Sequence, residues 1–313
     1  MSRELKNWGI LLFLACIWGS SFLLMKRGMI HKISGDEIFD NNQVASLRML
    51  LAASVMLPIG LKYIKSFTSI KLLGSLVIVA YLGNFLPAFL FTFAETGISS
   101  GYAGMLNSCT PIFTLVIGTL FFKQKLVFTQ IIGVIIGTIG IIWLVNGVSL
   151  IDTSGSAIHV LAVVLATVFY ASSVNTIRYQ LSAIKPLKIT AMAFSLSFIP
   201  ALILFFYFDT QTVFVANPHA FNGFGYILVL AIIGTAWSVV IFNRLIAESS
   251  ALFASSVTYF IPIVAVALGF IDGELLTVQQ LMAMLVVLVG VFIANVIGRR
   301  KLLKRKEVTI KNQ

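Results

Sequence analysis

The chain has 313 residues, of which 59% are hydrophobic and 11% charged, with a mean hydropathy of +1.01. A soluble domain carries about a quarter of its residues as charges, so this composition excludes a water-soluble globular protein and makes lipid the solvent for most of the surface. The net charge of +11 does not mark a nucleic-acid binder, because seven of the 22 Lys and Arg follow residue 298 and most others punctuate apolar runs, as topology signals do.

A helix crossing about 30 Å of hydrocarbon needs about 20 mostly apolar residues, and ten runs predict such spans. The first is 7–26. Arg3 and Lys6 precede it as in a signal peptide, but the apolar run continues to Met25 with no A-x-A site, so a retained span is expected. Runs at 43–64, 72–93, 97–122 and 128–147 complete five, and runs at 157–177, 188–207, 223–243, 249–271 and 277–298 give five more. Period-2 alternation is absent, which argues against a barrel. The expected fold is all-α and integral to the membrane. Cys16 and Cys109 both fall inside apolar runs without CxxC spacing and read as small core residues.

Lys and Arg concentrate on the cytoplasmic side of membrane proteins. With the N-terminus inside, the inner segments hold 18 of them and the outer segments only Lys26, Arg27 and Lys32, while Arg48 lies within the second span. Both termini are therefore expected in the cytoplasm.

The two halves match when shifted by about 151 residues. "WGSSFLLMK" from Trp18 aligns on "YASSVNTIR" from Tyr170, keeping an aromatic, a small residue, two serines and a cation five residues later. "AETGISS" at Ala94 matches "AESS" at Ala247, Pro111 matches Pro262, and Gly140 matches Gly290. Five spans per half is an odd number, so the second half must enter the membrane upside down. "FFKQKL" (121–126) and "IDGELL" (271–276) then occupy one structural corner on opposite sides, basic inside and acidic outside.

The WGSS-x4-K pattern, an Arg early in span two, a mid-span Pro in spans four and nine, and Gly-rich spans five and ten resemble the EamA-type members of the drug/metabolite transporter superfamily. The resemblance covers nearly the whole chain. It implies ten transmembrane helices as two inverted five-helix repeats, 1–147 and 155–298, followed by a basic cytoplasmic tail, 299–313. It also implies a secondary carrier that exports amino acids or other small metabolites. The family usually carries Gly-Glu after spans four and nine; here the first copy reads Lys123-Gln124 and the second Gly273-Glu274, so no coupling role is assigned there.

Inverted repeats place a carrier's site near the midplane, beside interrupted helices. Pro111 and Pro262 each remove an N–H and free the carbonyl four residues earlier, at Asn107 and Thr258, and in lipid such a carbonyl must face protein or a wet cavity. Asn107, Thr110 and Thr114 share one helical face, as do Ser255, Thr258 and Pro262. The polar members are expected to line a cavity and the prolines to act as hinges; polar packing between helices is the alternative. Trp18 with Ser21, and Tyr170 with Ser173, suit a wall that meets apolar and polar parts of a substrate, although small serines also let helices approach closely. Asn84, Trp237 and Ser238 are further candidates. Lys26 and Arg48 are expected to hold a substrate carboxylate, with snorkelling to the headgroups as the alternative.

No acid lies mid-span. Glu95 and Glu248 sit near span ends, and His31, His159 and His219 fall in outer segments. A membrane enzyme would need a constellation such as HExxH or an aspartate pair, and the sequence carries none, so no enzyme activity, cofactor or metal is expected. The remaining alternative is a channel-like or sensory membrane protein with no carrier cycle. The expected setting is the bacterial inner membrane, and the expected partners are a small-molecule substrate and lipid, for a monomer or weak homodimer.

Overall fold

A computed structural model describes residues 3–66, 69–124, 126–148, 156–249 and 251–294. Lys125, Asp152, Ser250 and the tail 299–313 fall outside them. Every regular element among the described residues is helical, apart from one isolated bridge between Ile30 and Glu37.

The first half comprises α1 (Arg3–Met29), α2 (Asn41–Leu61), α3 (Ile70–Ala80), α4 (Leu86–Ala94), α5 (Ser100–Leu106), α6 (Thr110–Phe122) and α7 (Phe128–Val148). The second comprises α8 (Ser156–Gln180), α9 (Pro186–Tyr207), α10 (Thr210–Ala216), α11 (Ala220–Ala231), α12 (Ser238–Glu248), α13 (Ala251–Ser255), α14 (Ile261–Ile271) and α15 (Val278–Phe292). Eight helical stretches among the described residues are long and apolar enough to cross a bilayer, from Glu4–Met29 to Phe253–Ile271. Phe128–Trp143 and Val278–Phe292 are further apolar helices, shorter as far as the described residues run, and they occupy the places of the fifth and tenth expected runs.

Two interruptions recur at matching places. The third span carries a π-helical turn at Tyr81–Phe85 between α3 and α4, and Ile232–Trp237 does the same between α11 and α12. The widened turn leaves a carbonyl to satisfy, and a side chain takes it in both halves: Asn84 Nδ2 donates to the Val79 carbonyl (3.0 Å) and Thr235 Oγ1 to the Leu230 carbonyl (2.9 Å). Tightened 3₁₀ turns at Asn107–Cys109 and Ser256–Tyr259 precede Pro111 and Pro262, which sit in the first turn of α6 and α14. A proline costs little there because a first-turn N–H has no partner within its helix.

The contacts between halves exchange roles. The equivalent helices α2 and α9 pack along each other, as do α7 and α15. α1 lies against α11 and α14, while α8 makes the matching contacts with α3, α4 and α6. At the α7–α15 seam a Cβ on Gly290 would come within 2.3 Å of the Gly137 nitrogen, so glycine lets two backbones meet where dispersion contacts replace the hydrophobic drive. Away from the seams the polarity of a soluble helix is reversed. Ile131, Ile135, Ile139 and Ile142 form an exposed stripe along one face of α7, a surface made for acyl chains. Cys109 is buried as expected, but Cys16 is exposed, on a face with Leu12 and Phe13.

Candidate functional site

The four interruptions surround a central cavity of about 110 Å³ between the halves. α1 contributes Trp18 and Ser21, α2 contributes Arg48, the first π turn Asn84, and α8 contributes Tyr170 and Ser173. The two broken spans supply Asn107, Thr110, Ser255 and Thr258. Their hydroxyls turn back onto the backbone: Thr110 Oγ1 donates to the Asn107 carbonyl (2.8 Å) and Thr258 Oγ1 to the Ser255 carbonyl (2.8 Å). The carbonyl freed by Pro111 is thus satisfied by a threonine.

Arg48 is buried, and its guanidinium donates through Nε to Thr235 Oγ1 (2.9 Å) and through Nη1 towards Met25 Sδ (3.4 Å). No ion pair to Arg48 is present among the described residues. The Trp18 indole is fixed by two bonds from Nε1, to the Gly234 carbonyl and to Ser238 Oγ, both 3.0 Å. It also meets Phe242 edge to face, at 4.9 Å between centroids. Across the cavity Tyr170 stacks with Phe91.

Four expected lining residues stand elsewhere. Lys26 points away from the cavity into an ion network, with Nζ 2.8 Å from both Asp272 Oδ2 and Glu274 Oε1. Trp237 is 47% exposed because the second π turn leaves it on the outward face of Val229 and Ile233. Ser238 is fully buried behind the wall, where it anchors Trp18 instead of meeting a solute. Thr114 is also behind the wall; its carbonyl accepts from Asn175 Nδ2. Sequence reasoning missed Thr235, Asn243 and Met25, which do line the cavity. Thr235 was within reach, since the shift of 151 residues places it on Asn84.

Past the end of the cavity-lining part of α1, an ion network joins α1, α5 and α14 at Lys26. Asp272 pairs with Lys26 and Arg27. Glu274 accepts from Lys26, from the Ser100 N–H (3.1 Å) and hydroxyl (2.7 Å), and from the Gly101 N–H (2.9 Å), so it binds the start of α5 to the end of α14. Burial works against both charges, but hydrogen bonds from Arg27 and Lys26 outweigh it and hold Asp272 below the ordinary carboxylate range. Lys26, Gly101 and Ser100 do the same for Glu274 against its burial.

Two structural repeats, eight helices among the described residues long and apolar enough to span, and a central cavity with polar groups set in an apolar lining define a multi-pass membrane protein of the transporter class. Comparison with known sequences agrees. The EamA-like transporter family model matches residues 7–146 and again 157–296; the chain belongs to that family. It is 24% identical to an uncharacterized transporter of Archaeoglobus fulgidus over 92% of this chain and 98% of that one. It is 23% identical to a probable amino-acid metabolite efflux pump of Salmonella typhimurium, over 96% and 97%. It is 26% identical to the uncharacterized inner membrane transporter YedA of Escherichia coli K12, over 92% and 90%. A solved structure described only as the crystal structure of a protein shares the fold, with a TM-score of 0.60 at 14% identity, over 96% of this chain and 99% of that one.

Proposed function

We propose that this transporter is a secondary carrier of the bacterial inner membrane that exports amino acids or similar small metabolites. Its halves are inserted in opposite orientations, with both termini in the cytoplasm, and rock about the central cavity. One observation carries the reading: Arg48 is buried in the cavity wall with a hydroxyl and a thioether for partners. A buried cation without an acid is costly, and a substrate carboxylate seated on the guanidinium would offset that cost through a charge-assisted bond. Asn243 adds the complementary feature. It lines the same cavity, its Nδ2 is spent on Thr190 Oγ1 (2.8 Å), and its Oδ1 is buried with no partner among the described residues. An orphan acceptor and a guanidinium with no acid partner, both lining one cavity, suit the ammonium and carboxylate of a zwitterion, while Trp18, Phe91 and Tyr170 meet its apolar part.

The ion network on the Lys26 face and the packing of α5 on α14 support reading this conformation as the one closed to the outside. The excess of Lys and Arg in the inner segments supports the orientation. The printed name of the Salmonella relative supports amino-acid metabolites as the substrate class, and that of YedA supports the inner membrane. Counterflow in proteoliposomes tests the reading. Unlabelled amino acid trapped inside is expected to accelerate uptake of the labelled one, and uptake indifferent to trapped substrate would replace the carrier with a channel.

A further inference from the structure

Glu95 follows α4 in the short connection to α5, beside the closed Lys26 face. Both its carboxylate oxygens are enclosed, and neither has a hydrogen-bond partner among the described residues; the residue as a whole is half-buried. Its counterpart in the second half, Glu248, is paired with Arg244 at 2.5 Å. The charged and titratable groups on the elements packed around Glu95 include Lys26 and Arg27 of α1, Arg48 of α2, Tyr102 of α5, His159, Tyr170, Arg178 and Tyr179 of α8, and Asp272 and Glu274 after α14. The basic ones are engaged elsewhere: Lys26 with both acids of the network, Arg27 with Asp272, Arg48 with Thr235 and Met25, His159 with the Thr96 hydroxyl and Arg178 with the Ile246 carbonyl.

A carboxylate that has lost its water and gained no donor is unfavourable, and protonation removes the cost. Burial, reinforced by repulsion from Glu274, raises Glu95 well above the ordinary carboxylate range against the opposing pull of Lys26 and Arg48.

We propose that the Glu95 carboxyl is a proton-binding site, filled while the Lys26 face is closed and emptied when that face opens. The inference rests on the alternating-access reading. Opening separates Lys26 from Asp272 and Glu274, admits water between α4 and α5, and leaves Lys26 free to pair with Glu95. The carboxyl O–H bond breaks, the proton passes to water on that side, and the electron pair stays on the carboxylate; closing reverses each change. Because the closed state has the higher proton affinity, raising the pH above the ordinary carboxylate range favours opening.

The test uses the full chain in liposomes, with Cys16 and Cys109 replaced by Ser and one thiol introduced by Val266→Cys, where α14 meets Gly101 of α5. Labelling from the Lys26 face, normalised to denatured protein at each pH, is expected to rise several-fold between about pH 5 and pH 8. Glu95→Gln is expected to flatten the profile at its acidic level, and Glu95→Asp to keep it. An infrared carboxylic-acid band at neutral pH is expected in the parent protein and not in Glu95→Gln. A profile that survives Glu95→Gln, or a band unchanged by it, overturns the proposal. Should Glu95→Gln fail to insert, a parent profile that is flat above the ordinary carboxylate range overturns it equally. Lys26→Ala separates the two readings. Labelling that stays low at every pH in that variant counts against alternating access itself, whereas labelling that rises in it but ignores Glu95→Gln counts against the proton site alone.

Discussion

Glu274 and Gln124 occupy the same corner of the two halves. Each follows a residue in the left-handed region, Gly273 at φ 87° and Lys123 at φ 53°. Each donates its N–H to a matching glycine carbonyl, Glu274 to Gly269 (2.9 Å) and Gln124 to Gly118 (3.0 Å). Each side chain folds over that glycine, where a Cβ would come within 2.5 Å of Glu274 Oε2 or 2.6 Å of Gln124 Oε1. Their surroundings differ. Glu274 binds Lys26 and the start of α5, whereas among the described residues Gln124 Oε1 accepts from the Tyr179 hydroxyl alone, at 3.3 Å. Arg178, the counterpart of Lys26, donates to the Ile246 carbonyl at 3.4 Å. One corner is locked by charge and its twin is not.

Lys26 is only part-buried beside Glu274, so removing one partner costs roughly 1–3 kcal/mol, less than for a fully buried pair. Glu274→Gln is therefore expected to shift the conformational balance towards opening of the Lys26 face by about that much, read as faster labelling of the Val266→Cys thiol. Gln124→Glu should do the reverse, giving Arg178 an acid and favouring closure of the opposite face. Unchanged labelling in both variants would mean that charge does not set the resting conformation.

The same network predicts an acid limit. Asp272 and Glu274 lie below the ordinary carboxylate range in the closed state, so their contribution is complete above that range and is lost as pH falls through their depressed values. Labelling of the Lys26 face should rise again in that acidic window, and Asp272→Asn should weaken the second rise. This limb lies at lower pH than the one assigned to Glu95, so a pH series resolves them.

Arg48→Ala is expected to insert normally and to lose substrate binding by about 3 kcal/mol, roughly a hundredfold in affinity. Arg48→Lys should recover little, since a single ammonium cannot reproduce the fork that reaches Thr235 and a carboxylate together. Substrate-induced protection of an introduced thiol in the cavity measures this without transport. Affinity intact in Arg48→Ala would remove the carboxylate from the binding scheme.

The spans, the repeat and most of the cavity wall were legible in the sequence because each rests on local pattern: apolar run length, an offset of about 151 residues, and prolines in the middle of apolar runs. Lys26 was not. Its partner Asp272 lies 246 residues away, and nothing local distinguishes a lysine that snorkels or binds substrate from one that closes a face. Trp237 failed for a different reason. A π turn adds a residue to the helical repeat, so spacing counted at 3.6 residues per turn puts the wrong side chain inward. The paired Asn84 and Thr235 that satisfy those turns mark them only once the halves are superposed.

The proposed insertion of the halves in opposite orientations makes a direct prediction. Reporter fusions after Lys123 and after Gly273, equivalent positions in the repeat, are expected on opposite sides of the membrane, the first cytoplasmic and the second external. Finding both on one side would remove the inversion, and with it the assignment of the Lys26 face as the outer one.

Pro111 and Pro262 yield the most mechanistic prediction. Each stands in the first turn of a helix after a 3₁₀ stretch, in the fourth and ninth spans. At both places the main-chain ladder is broken and a threonine hydroxyl bonds back onto a nearby carbonyl, Thr110 onto Asn107 and Thr258 onto Ser255. Bends concentrate where a ladder is already interrupted, and domain rocking needs a few positions that absorb the change. Replacing either proline with alanine restores an N–H that can reach the carbonyl four residues earlier, which should convert the 3₁₀ stretch to continuous α-helix and stiffen that span. The halves are expected to run in opposite directions, so stiffening α6 and stiffening α14 should bias the carrier to opposite sides. Single cysteines near Asn107 and Thr258, labelled from each face, read the bias: Pro111→Ala and Pro262→Ala are expected to shift labelling in opposite directions. A shift in the same direction, or none while transport stays normal, would reduce both prolines to packing residues.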